Sequence, residues 1–257
     1  SAMAEANSDI AGAVAGGVAA NAPQVAAVTA GSIAEASPEL AGDIAAGVAE
    51  AAPAMAGAVV QNLAEANPEG TAEMVATAVA AVPEAAANIA QGFIAADPGA
   101  AAEIAAQVAE LNPENAGDIA AGMVQVAPAM ASDIAGAIAE SNPDLAGQVG
   151  ESMAIANPAI AGQIAAGMAE VNPDLAGEVC AGMAENNPGL AGQLVVGMIA
   201  SAPEAAALFA MDMSGNEEMS GQIASSMGQM AQINPDMAAQ FASDMVGFNP
   251  EAAGQIA

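Results

Sequence analysis

The chain contains no Lys, no Arg, no His, no Trp and no Tyr, against 30 Asp plus Glu in 257 residues. Globular proteins are about a quarter charged with both signs present. Losing every cation therefore removes whole classes of function. Nucleic acid is excluded as a direct partner, because phosphate recognition runs on Lys and Arg. Anionic membrane surfaces recruit basic segments, and here there are none. General-base and nucleophilic schemes lack their usual parts without His, Lys or Tyr, so the chain is not expected to be an enzyme.

Cysteine is nearly missing as well. Cys180 is the only one, which rules out an internal disulfide framework and a Cys-based metal cluster. It stands where other units carry Ala and is expected to be a buried, inert thiol. There is no apolar run near the roughly 20 residues of a membrane helix, and no basic, hydrophobic leader opens the chain. The absence of Lys and Arg leaves trypsin-like proteases no cleavage site, which leans the expected location towards the cell surface or the extracellular space.

What the chain does have is a ruler. Its prolines stand at 23, 38, 53, 68, 83, 98, 113, 128, 143, 158, 173, 188 and 203, then at 235 and 250. With Pro as position 1, the fifteen-residue unit approximates Pro-acid-Leu-Ala-Gly-Gln-Ile-Ala-Ala-Gly-Met-Ala-Glu-x-Asn; residues 173–187 (PDLAGEVCAGMAENN) show it nearly intact. Pro is favoured at the first helical position, where no N–H is needed. Ten of the fifteen residues before Pro are Asn, Asp or Ser, which cap helix N-termini. An acid follows Pro in nine units, at the positive end of the helix dipole.

Positions 3, 7 and 11 are the larger apolar ones (Leu175, Val179, Met183), and 4, 8 and 12 are chiefly Ala (Ala161, Ala165, Ala169). On a helical wheel these sets cover adjacent arcs, about 0–80° and 100–180°, while acids at positions 2, 6 and 13 crowd into about 260–300°. Each unit thus reads as a helix of about 12 residues with a linker of about three, covered by neighbours on most sides. Short linkers make consecutive helices antiparallel. The expected fold is all-α, a solenoid of about seventeen short antiparallel helices in a single array over 1–257. A continuous coiled coil is excluded, since Pro would break it in every unit.

The ruler slips once. Pro203 and Pro235 are 32 residues apart, and aligning Gly221-Gln222-Ile223 on the usual Gly-Gln-Ile puts Glu217 at position 1. Residues 211–218 are the expected irregular, exposed loop. The ends also match: residues 1–7 read as positions 9 to 15 and residues 250–257 as positions 1 to 8, so that tail joined to head spells PEAAGQIASAMAEAN. This split repeat suggests a protomer that adds head to tail, a piece of a longer repeat protein, or a ring; an odd number of alternating helices disfavours the ring. The residues expected at such a junction are Met3, Ala4, Asn7, Pro250, Gly254, Ile256 and Ala257.

Sixteen Met residues raise the thought of soft metals, above all Met211, Met213, Met219, Met227 and Met230, but most Met occupy position 11 as flexible packing. No EF-hand, Walker or Gly-x-Gly-x-x-Gly pattern is present. No cofactor is expected, and Ca2+ would act only as diffuse compensation of the acidic face. The leading expectation is a structural protein, a self-assembling protomer or segment of a filament whose partner is itself. A solenoid scaffold for a peptide or protein is the alternative, and a coat at a lipid or granule surface the second.

Overall fold

The computed structural model describes the backbone of residues 2–248 and the side chains of residues 10–243. Among the described residues there are seventeen α-helices and no strands, an all-α solenoid. They group into two compact units, Ser1–Met130 and Ala131–Ala257. The first holds α1 (Ala2–Asn21), α2 (Pro23–Ala36), α3 (Ala41–Ala51), α4 (Ala56–Ala66), α5 (Thr71–Ala81), α6 (Ala86–Ala96), α7 (Ala101–Leu111) and α8 (Ala116–Val126). The second holds α9 (Ala131–Ser141), α10 (Ala146–Ala156), α11 (Ala161–Val171), α12 (Pro173–Asn186), α13 (Ala191–Met198), α14 (Pro203–Met213), α15 (Glu217–Ser225), α16 (Met227–Ile233) and α17 (Pro235–Phe248).

Most successive α-helices are joined by four residues, one extended residue and then a three-residue 3-10 turn that begins at Pro, close to the three expected. Ala52 is typical: its φ of −151° and ψ of 71° end one helix and open the next, in the extended region that a following Pro imposes. Its N–H donates to the Val48 carbonyl at 2.8 Å, and its own carbonyl accepts from Met55 N–H at 2.8 Å. Backbone alone closes the corner, which is why Ala52, Val82 and Ala202 serve as well as Asn. Side-chain capping is correspondingly narrower than the composition suggested. Asp97, Asn157, Asn172, Asn216 and Asn234 accept from backbone N–H groups two or three residues on, whereas Ser37, Asn142 and Asn187 make no side-chain cap. In most units the Pro-x-x segment forms a 3-10 turn before the α-helix proper, as where Ala41 N–H bonds the Pro38 carbonyl.

The helices form two rows in each unit, because the tightest packing is between helices two apart. Gly12 (position 5 of its unit) faces Asp43 (position 6), and Gly16 faces Gly47 (position 10). The same offset of 31 residues pairs Gly57 with Asn88 and Gly162 with Gln193, while an offset of 35 pairs Gly92 with Gly57 and Gly197 with Gly162. Pairs that advance together mean that helices two apart are parallel and in step. The helix between them, tied at each end by a short corner, must carry the chain back. Consecutive helices are therefore antiparallel.

Glycine is required here by contact, not by turns, since none of the described glycines has positive φ. A Cβ on Gly12 would stand 2.7 Å from the Asp43 carbonyl oxygen, on Gly57 2.5 Å from that of Asn88, and on Gly162 2.9 Å from that of Gln193. Small residues four apart let the axes approach until Cα–H groups touch carbonyls. Within the rows, positions 4, 7, 8, 11 and 12 make the core: Ala41, Ile44, Ala45, Val48 and Ala49 in α3 are all buried. Position-11 methionines Met123, Met153, Met168, Met183 and Met198 are buried too.

Two expectations about irregular places change. The slip is a tight turn: α14 runs to Met213, Asn216 caps α15 by accepting from Glu218 N–H and Met219 N–H, and Glu217 stands at the first helical position as aligned. Met213 and Ser214 are buried, so 211–218 is only partly exposed. The unit from Glu217 to Asn234 has 18 residues, three more than the usual fifteen, and it breaks at Ser226 into α15 and α16. At the start of the chain, residues 2–7 do not form a separate half-helix. With Ser8 in place of Pro, α1 runs unbroken from Ala2 to Asn21.

Candidate self-association interface

The α1 face that looks away from α3 is the one where the repeat is left uncovered. In α3 the position-7 residue Ile44 is fully buried, and Leu194 of α13 likewise. Their equivalent in α1, Val14, is 49% exposed, and Ile10 at position 3 is 61% exposed. Gly17 stands at position 10, where Gly47, Gly92, Gly167 and Gly197 each press on a carbonyl of the helix two units back. Around Gly17 there is nothing within 4 Å. On the next helix, Val25 at position 3 and Val28 at position 6 of α2 are exposed as well. This surface carries residue types that make internal contacts elsewhere in the rows.

In the second unit, α17 also has small residues at exposed positions. Ala239 and Ser243, at its positions 5 and 9, are exposed, while Phe241 at position 7 is buried. Positions 5 and 9 are the ones that receive positions 6 and 10 of the following helix inside the rows.

Of the residues expected at a head-to-tail junction, Met3, Ala4 and Asn7 lie in the first turns of α1; their side chains are outside the described residues. Pro250, Gly254, Ile256 and Ala257 are outside them altogether. Ile10, Val14 and Gly17 were not singled out from the sequence. The signal was there, since the position-10 glycine recurs, but its partner lies 35 residues away and only the fold pairs them.

No Asp or Glu is buried among the described residues, and among them no group of three or more His, Cys, Asp and Glu is placed to hold a metal ion. Cys180 packs fully buried in α12. Burial pushes its thiol up from the ordinary 9.0 to about 12, because a thiolate would have to be desolvated. At neutral pH it is a protonated core side chain. Met213, Met219, Met227 and Met230 are buried and Met211 is 41% exposed. Among the described residues no helix is long and apolar enough to cross a membrane.

No family model matches the chain, and no match is found among curated proteins or solved structures.

Proposed function

We propose that the protein is a structural, non-catalytic repeat protein, a protomer or segment of a filament whose copies extend the same two rows of helices. The observation that carries this reading is the uncovered α1 face, where Val14 is 49% exposed and Gly17 meets nothing within 4 Å. A helix of this same repeat fits it, because positions 5 and 9 of such a helix supply small residues and carbonyls at the required spacing. Ala239 and Ser243 of α17 present those positions in the second unit. The contact joins two different faces, so copies add without closing and the product is a fibre. An extracellular or cell-surface setting belongs to the same proposal and rests on the absence of trypsin sites.

Charge sets the condition. A chain of net charge −30 repels its own copies, and that repulsion relaxes as salt or divalent cations shorten the screening length. Negative-stain microscopy of the purified chain at low salt and with added NaCl or CaCl2 tests the reading. Unbranched filaments that lengthen with screening support it, and dispersed particles under every condition refute it.

A further inference from the structure

In the second unit one row meshes glycine against backbone and the other does not, Gly150 of α10 meeting only the side chains of Met168, Val179 and Met183. Gly136, Gly162, Gly167, Gly192 and Gly197, on α9, α11 and α13, all meet backbone of the helix beside them. Gly147, Gly177 and Gly182, on α10 and α12, meet nothing within 4 Å. The residues opposite explain the opening between α12 and α14. Position 6 of α14 is Leu208 instead of Gln, and position 10 is Asp212 instead of Gly. A carboxylate cannot be pressed against the backbone at Gly177 without losing its hydration, so α14 stands off from α12.

The result is a groove of about 960 Å³ between the two helices. Leu208 (68% exposed) and Met211 line it together with Phe209, and Gly177 and Ala181 give it a low opposite wall. Asp174, Glu178, Glu204 and Asp212 also line it, and no cation in the chain is available to any of them. Its walls run from Pro173 to Ala181 and from Glu204 to Asp212, about 12 Å or two helical turns at 1.5 Å per residue.

We propose that the α12–α14 groove is a docking site for a cationic amphipathic helix of a partner protein, with its apolar stripe on Leu208 and Met211 and its Lys or Arg side chains on the four carboxylates. The mode is a helix laid in a groove and held by apolar anchors at i, i+3 or i+4, and i+7. Charge complementarity selects this occupant over a second copy, which has no Lys, Arg or His to offer. The small residues on α12 that elsewhere admit a neighbouring helix of the repeat here admit the partner's helix.

The test is fluorescence anisotropy with a labelled amphipathic peptide of about 14 residues, roughly four turns, carrying a Leu stripe and otherwise Arg and Ala. A charge-matched peptide with Ser for Leu is the control. Saturable one-to-one binding of the first, at least tenfold tighter than of the second, is expected. Leu208→Asp, on an exposed side chain, should weaken binding at least tenfold although it adds negative charge. Glu114→Gln, an exposed acid in the first unit, should leave affinity within twofold. Equal binding of the two peptides, or tighter binding by Leu208→Asp, would mean diffuse attraction to a polyanion and overturn the proposal. So would absence of peptide binding, with Leu208→Asp instead changing the sedimentation of the chain alone, which would make the groove a contact between copies.

Discussion

The Gly162 carbonyl lies against the Cα of Gly197, with no room between them for a methyl group. The two glycines are 35 residues apart and hold α11 and α13 in step. Gly197→Ala must push the helices apart, and overpacking of this kind costs about 1–3 kcal/mol. Gly182, also a position-10 glycine but on the other row, has nothing within 4 Å. There Gly182→Ala should stabilise, by up to about 1 kcal/mol from helix propensity. Urea melts of the two variants should move in opposite directions. Shifts of the same sign would contradict the register.

Cys180 makes the alkaline limb of the stability curve readable. The chain has no Lys, Arg, His or Tyr, so beyond the α-amino group this thiol is the only one left to titrate above neutrality. The unfolded thiol ionises near its ordinary 9.0, whereas the folded one holds its proton to about 12. Between those values the unfolded state binds fewer protons, so stability falls as pH rises. The slope should approach about 1.4 kcal/mol per pH unit, and Cys180→Ala should remove it. A slope unchanged in that variant would place the loss elsewhere.

Uncompensated carboxylates should make the fold itself sensitive to screening. Melting temperatures by far-UV circular dichroism should rise with NaCl and further with CaCl2. Indifference to both would remove electrostatic repulsion as the condition for assembly.

The fold is legible in the sequence because one unit is written so many times. Pro, its acid and the 3-7-11 spacing tell where each helix starts and which face is buried, and Ile44, Val48 and Met183 are buried as that spacing requires. The corner is less legible because its hydrogen bonds belong to the backbone. No capping side chain is needed there, and Ala52 closes it as well as Asn142 does. The rows are illegible for a different reason. Offsets of 31 and 35 residues express how parallel helices mesh, and no local pattern records that. The same holds for Gly17, which differs from Gly47 only in what lies opposite, and for Asp212, whose effect depends on a glycine on another helix.

Salt-dependent self-association through α1 is the central claim, and sedimentation velocity tests it most directly. The purified chain, over a range of concentration and with added NaCl, should show species growing well beyond a dimer. Val14→Asp should remain helical and sediment as a single small species under the same conditions, because it charges the face left open on α1. A chain that stays monomeric throughout, or a Val14→Asp variant that assembles as the parent does, would contradict the account.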